Sequence, residues 1–278
     1  MAATPFSDRL GDAVARKRTQ LVVGLDPVDD RLPAELDGDI GAFCRGIVDA
    51  VEPFAVAVKP QSAFFEAHGA EGVQAFWDTC AYARNAGLLV IADAKRGDIG
   101  STAEAYARTF SGRADAVTVN PYLGGDSVAP FIEAARRDGS GIFCLVKTSN
   151  PGSADLQDVT LADGRKLWER VAELVGVWGA DVVGDGGLSA VGAVVGATFP
   201  EEIAVARRLL PDAPFLLPGI GAQGGSPADV AAAFTENPAS ALVSASRSVI
   251  YAAGTDWRAA AAAEAERLAG EIWRAAGT

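Results

Sequence analysis

The stretch IADAKRGDIGSTAEAYA, Ile91 to Ala107, opens as an apolar strand and closes as a helix. Between the two it places Asp93, Lys95, Arg96 and Asp98 within six residues. A single strand–turn–helix unit fits many folds, so the deciding question is how often the chain repeats it. LLVIADAK (88–95) is the third of eight such apolar runs. The others are QLVVGLD (20–26), FAVAVKP (54–60), DAVTVNP (115–121), GIFCLVKTS (141–149), VGAVVGAT (191–198), PFLLPGI (214–220) and SALVSASR (240–247). Near-continuous β-branched runs suit strands covered on both faces, as in a parallel sheet.

Helical patterns separate the runs. Ser101 with Glu104, and Thr198 with Glu201, read as capping boxes. Ser226, Pro227 and Asp229 supply an N-cap, a proline at the first helical position and a first-turn acid. An N-terminal helix is expected over about 5–18, and an alanine-rich C-terminal helix over about 256–276. Eight alternating β/α units in a single domain of 278 residues predict an α/β fold, the (β/α)8 TIM barrel. A doubly wound sheet is the alternative, because periodicity does not show closure. Between the fifth and sixth strands the spacing is unusually long, which marks residues 150–163 as a candidate lid or binding loop.

Composition narrows the function classes. The net charge of −12 argues against nucleic acid and anionic membranes as partners. The N-terminal stretch shows no signal-peptide core and no run is long enough to span a bilayer, so a cytoplasmic protein is expected. Cys44, Cys80 and Cys144 are far apart and read as buried small hydrophobes. His68 is the one histidine and reads as an ordinary helix-end residue, which makes zinc or a histidine-based triad unpromising.

In such a barrel the site lies at the C-terminal strand ends. Those ends carry Asp26, Lys59, Asp93 with Lys95, Asn120, Thr148 with Ser149, Thr198, Pro218 with Gly219, and Arg247. Arg outnumbers Lys 19 to 5, yet Lys59, Lys95 and Lys147 sit at strand ends. Lysine there points to a role that guanidinium does not fill, such as giving up a proton. Asp93 and Lys95 are two apart, hence on one face of an extended chain. An ammonium among carboxylates keeps its charge, so it suits stabilising and protonating a carbanion rather than forming a Schiff base. The glycine-rich PGIGAQGGSPAD, Pro218 to Asp229, with Gln223 and the nearby Arg247, reads as a phosphate grip.

These residues together resemble the orotidine 5′-phosphate decarboxylase family, and most closely its bacterial subgroup of about this length. The resemblance is carried by D-x-K-x-x-D at Asp93, Lys95 and Asp98, followed by Ile99 and Thr102. GLDP at 24–27, VKP at 58–60, TSNPG at 148–152, PGIGAQGG at 218–225 and SRS at 246–248 occur in the family's order. The resemblance implies a homodimer that decarboxylates orotidine 5′-monophosphate to UMP without metal or organic cofactor. It implies Lys95 as proton donor to C6, Asp93 facing the substrate carboxylate, and Lys59 linking the ribose end to the array. Asp26 becomes a ribose-hydroxyl acceptor and Ser149 a contact to the pyrimidine amide, with Pro218 and Gly219 near the base. Gln223 and Arg247 become the phosphate contacts, and Asp98 and Thr102 reach across the interface into the partner's site. Family members often have glycine before the phosphate arginine, where this chain has Ser246, whose hydroxyl could substitute. Two alternatives stand beside this reading: a related Mg²⁺-dependent sugar-phosphate decarboxylase or aldolase, and a non-catalytic binder of phosphate ligands.

Overall fold

The computed structural model describes residues 3–220 and 226–277. Eight parallel strands, β1 (Leu21–Leu25), β2 (Ala57–Pro60), β3 (Leu89–Arg96), β4 (Ala116–Val119), β5 (Gly141–Lys147), β6 (Val191–Val195), β7 (Phe215–Pro218) and β8 (Ala241–Ala245), close in sequence order. Leu21 and Val22 of β1 pair with Val243 and Ser244 of β8, and this closure excludes the doubly wound alternative.

Helix α1 (Phe6–Lys17) precedes the first strand. The outer ring follows as α2 (Ile40–Val51), the short α3 (Ser62–Glu66), α4 (Gly69–Asn85), α5 (Gly100–Phe110), α6 (Gly125–Asp138), α7 (Leu167–Gly179) and α8 (Pro200–Leu209). Between β7 and β8 the described chain forms a 3-10 segment at Pro227–Ala233 instead of an α-helix. After β8 come α9 (Arg247–Ile250) and α10 (Trp257–Ala275).

Strand alternation sorts the interior into layers. Val22, Ala57, Ile91, Ala116, Phe143, Val194, Leu216 and Leu242 share one inner cluster with Phe6, Leu10 and Val14 of α1. Helix α1 thus seals the N-terminal end of the barrel. Phe143 is fully buried and meets Phe6 edge-on, centroids 5.9 Å apart. A Cβ at Gly192 would fall 2.6 Å from the Phe143 ring, so only glycine leaves room for it on β6. Truncating such a ring to alanine costs about 3–5 kcal/mol.

The outward residues, among them Leu21, Val23, Val58, Val90 and Val117, pack against the helices as a second cluster. The cysteines belong to that shell. All three are free and buried, and burial pushes the Cys144 thiol up to about 12, so it is unreactive as a nucleophile. Among the described residues no helix is long and apolar enough to cross a membrane.

Two helix starts differ from the sequence reading. Helix α5 begins at Gly100 with Ile99 at its N-cap, which places Ser101 and Glu104 inside the helix. Pro200 takes the first position of α8, which moves the cap to Phe199 and leaves the buried Thr198 hydroxyl without a partner among the described residues. The box of Ser226 and Asp229 is present, but it caps the 3-10 segment. Asp39 and Asp256 cap α2 and α10 through their carboxylates. His68 lies at the N-cap of α4, its Nε2 3.2 Å from Asp29 Oδ1.

Candidate active site

Two residues beyond the apolar inner layer, each strand presents its next inward position at the C-terminal end of the barrel. These positions are Gly24, Lys59, Asp93, Thr118, Leu145, Gly196, Pro218 and Ser244. A further step reaches Asp26, Gln61, Lys95 and Ser246. The mouth is therefore polar where the layer beneath is apolar, and it encloses a cavity of about 520 Å³.

Asp93 is the hub of this cavity. It is 5% exposed, and its two oxygens accept from four side chains. Oδ2 receives Lys59 Nζ at 2.5 Å and Gln61 Nε2 at 3.2 Å. Oδ1 receives Lys95 Nζ at 2.5 Å and Thr118 Oγ1 at 3.0 Å. Burial opposes the charge on Asp93, yet the Lys59 and Lys95 ammonium groups outweigh it and hold the carboxyl well below the usual carboxylate range. Burial likewise opposes the charge on Lys59, while Asp93 and Asp26 more than compensate and raise it. Both members of this buried pair are thus charged at neutral pH.

Lys95 reaches the hub by an irregular route. The β3–β4 ladder shifts between Ala92 and Arg96, and Lys95 has a positive φ of 46°. Its amide donates to Thr118 Oγ1 at 2.9 Å, so one threonine hydroxyl binds both the peptide and the carboxylate of the array. The Lys95 side chain remains 43% exposed, whereas that of Lys59 is 8% exposed. One ammonium faces the cavity and the other is locked beneath it.

On the opposite wall, Ser246 Oγ donates to Asp26 Oδ2. Arg247, next in the chain, is exposed at the rim and has no carboxylate partner among the described residues. Pro218, Gly219, Thr148, Ser149 and Asn150 complete the lining, together with Gln157 from the loop after β5. The described lining thus carries three cations, Lys59, Lys95 and Arg247, against two carboxylates, Asp26 and Asp93. A chain of net charge −12 therefore concentrates positive charge at this mouth, which suits an anionic small ligand.

Of the expected site residues, Asp26, Lys59, Asp93, Lys95, Ser149, Pro218, Gly219 and Arg247 line this one cavity. Asp98 and Thr102 do not: the Asp98 carboxylate accepts from the Ile99 amide, and Thr102 is exposed on α5. Gln223 lies outside the described residues. Lys147 is a correction. The β5–β6 ladder shifts between Leu145 and Lys147, and the ammonium leaves the mouth for Asp158 at 2.9 Å and Glu202 of α8 at 3.8 Å. It is 2% exposed and holds the loop that follows β5.

That loop is correspondingly anchored. Gln157 accepts from the Thr148 amide at 2.9 Å and donates to the Thr148 hydroxyl at 2.8 Å. Sequence reasoning passed over Gln61, Thr118, Gln157 and Ser244. Inward alternation marks Thr118 and Ser244, whereas nothing local marks Gln157. Among the described residues no group of three or more His, Cys, Asp or Glu converges to hold a metal ion.

The chain is also similar to known proteins along most of its length. Residues 19–263 match the model of the orotidine 5′-phosphate decarboxylase / HUMPS family. The chain is 48% identical over 275 residues to the orotidine 5′-phosphate decarboxylase of Bordetella avium, covering 95% of this chain and 96% of that relative. It is 43% identical over 268 residues to the one from Rhodopirellula baltica, covering 89% and 88% respectively. The solved structure of Leishmania donovani OMP decarboxylase superposes with a TM-score of 0.83 at 35% identity, covering 99% of this chain and all of that one.

Proposed function

The chain belongs to the orotidine 5′-phosphate decarboxylase / HUMPS family, and from that premise we propose that it converts orotidine 5′-monophosphate to UMP and CO2 in pyrimidine biosynthesis. The observation that carries this reading is the Lys95 ammonium, held at the cavity by a carboxylate that a second, buried lysine keeps ionised. The reaction needs such a group. Loss of CO2 from C6 leaves an electron pair in the plane of the pyrimidine ring, where no conjugated position accepts it. A fixed ammonium beside C6 stabilises that charge as it forms, and no reorganisation is required at the moment of reaction.

Lys95 then donates a proton to C6, UMP leaves, and solvent restores the ammonium. Asp93, fixed in the ionised state, faces the departing carboxylate and orients Lys95. Lys59 and Gln61 hold Asp93 on its other oxygen. Arg247, together with Gln223, binds the 5′-phosphate, and this remote binding energy serves to position the ring. Asp26 accepts a ribose hydroxyl, Ser149 contacts the pyrimidine amide, and Pro218 and Gly219 border the base.

The active form in this reading is a homodimer in which Asp98 and Thr102 complete the partner's site. Support comes from their position outside their own chain's cavity, beside a run of exposed apolar side chains. Ile99 is 56% exposed, Tyr122 73% and Leu123 49%, all on the loops after β3 and β4. Such a patch is suited to burial in an interface. The unpaired cysteines suit a reducing compartment, and we place the reaction in the cytoplasm.

A spectrophotometric assay of orotidine 5′-monophosphate consumption in excess EDTA tests the proposal. Turnover in chelator is expected. Activity that depends on added Mg²⁺ would favour a sugar-phosphate enzyme instead, and UMP binding without turnover would favour a silent binder.

A further inference from the structure

The geometry points to Ser246 as a positioning residue that aims the Asp26 carboxylate at a hydroxyl of the substrate's sugar. This inference rests on the function proposed above and deepens it. Ser246 and Asp26 are the first residues past β8 and β1, the two strands whose pairing closes the barrel. The serine has one hydroxyl hydrogen and two acceptors in range. Asp26 Oδ2 lies at 2.5 Å and the Gly24 carbonyl at 3.4 Å, so the hydrogen is committed to the carboxylate.

Ser246 is held tightly enough to act as a fixed donor. A Cβ at Gly24 would lie 2.7 Å from Ser246 Cβ, so the serine packs directly on the bare backbone of β1. The peptide that carries Asp26 is fastened as well. Tyr251 Oη accepts from the Val28 amide at 2.7 Å and donates to the Asp26 carbonyl at 3.2 Å. Tyr251 is in turn stacked on Phe43, with ring centroids 5.6 Å apart. With the main chain secured, rotation of the carboxylate is the freedom that remains, and the serine hydroxyl removes it.

The other oxygen, Asp26 Oδ1, is buried and has no donor among the described residues. A buried carboxylate oxygen without a donor is unfavourable until a ligand supplies one. Lys59 Nζ is drawn to Asp93 Oδ2 and donates nothing to this oxygen, so a donor brought by the substrate would satisfy it. Arg247 is the residue after Ser246 and lies at the phosphate end, while Lys95 marks the pyrimidine end. The group between them is the ribose, whose vicinal hydroxyls are donors. A site built to accept such a hydroxyl rejects an analogue that lacks it.

The test compares UMP with 2′,3′-dideoxyuridine 5′-monophosphate by isothermal titration calorimetry. The wild-type chain should prefer UMP by at least about tenfold, as expected for one hydrogen bond to a charged group. Ser246→Ala should lose most of that preference while keeping its affinity for the dideoxy nucleotide, which also reports that the variant is folded. In an Asp26→Ala background, adding Ser246→Ala should change the preference no further. The inference is overturned if Ser246→Ala keeps the full preference, weakens both ligands alike, or acts undiminished without Asp26. A wild-type chain that binds neither nucleotide overturns the proposed function, and the inference falls with it.

Discussion

Lys95 Nζ lies 2.5 Å from Asp93 Oδ1 because Lys95 leaves the strand conformation, at φ 46°, just where the ladder to β4 shifts. Two residues apart on a regular strand, the two side chains would share a face without folding onto each other. A non-glycine residue in the left-handed region costs on the order of 1–2 kcal/mol. Here the Thr118 hydroxyl holds the Lys95 amide and the Asp93 carboxylate together, and that strain is concentrated at the cavity's exposed ammonium.

The charge state of the array predicts a pH profile of stability. Asp93, depressed by its two lysines against burial, contributes stability present above its unfolded value of about 3.9 and lost as pH falls through the folded value. Lys59, raised by Asp93 and Asp26, contributes stability present below about 10.4 and lost as pH rises through its folded value. The stability difference between wild type and Asp93→Asn should therefore hold from about pH 6 down to about pH 5 and shrink only below about pH 4, whereas at higher pH it also carries the variant's Lys59, which loses its compensation against burial. Urea unfolding between about pH 2 and 6 measures the acid arm, and a difference that already fades between about pH 6 and 5 would contradict the ionised array.

Lys147 should prove structural. Its removal takes away the ammonium shared by Asp158 and Glu202, and Glu202 Oε2 already lacks a partner among the described residues. Breaking a buried pair on one side costs about 3–5 kcal/mol, and the partly exposed partners place this case near the low end. Lys147→Met should lower the unfolding free energy in urea by about 3 kcal/mol. A loss under about 1 kcal/mol would show that the loop after β5 does not depend on this anchor.

Arg247→Ala should weaken phosphate-bearing ligands and spare the nucleoside. Loss of one hydrogen bond to a charged group corresponds to roughly a ten- to hundredfold loss in UMP affinity. Uridine binding should stay within about twofold, since the removed contact involves only the phosphate. Equal losses for both ligands would move Arg247 away from the phosphate.

If Asp98 acts in the partner's cavity, two inactive variants can repair each other. Subunit exchange between Lys95→Ala and Asp98→Ala chains makes one site that retains both groups and one that lacks both. Activity should rise from near zero toward about a quarter of wild type when the chains mix statistically. Exchange confirmed by mass-tagged subunits, with no recovery, would place Asp98 outside the partner's site.

The sequence alone identified the barrel because parallel strands packed on both faces read as uninterrupted apolar runs, and all eight runs overlap the observed strands. Strand-end position likewise located Asp26, Lys59, Asp93, Lys95 and Arg247 at one mouth. The same signal misplaced Lys147, because a one-residue ladder shift turns its side chain away and such shifts leave no mark in composition. Thr118 was legible in principle from its alternation with the buried Ala116. Gln157 was not, because contacts to Thr148 and the Lys147–Asp158 pair determine where its loop lies. The cap of α8 moved for a local reason, since proline at position 200 outweighs threonine at 198.

In the proposed reaction the Lys95 ammonium stabilises and protonates C6. Pre-steady-state turnover of orotidine 5′-monophosphate by Lys95→Ala, measured beside UMP affinity on the same preparation, tests it most directly. Removing an electrostatic stabiliser that is also the proton donor should lower the rate by at least about a thousandfold, with UMP binding still measurable. A variant that turns over within about tenfold of wild type, well short of the loss expected for such a group, would show that another group stabilises and protonates C6.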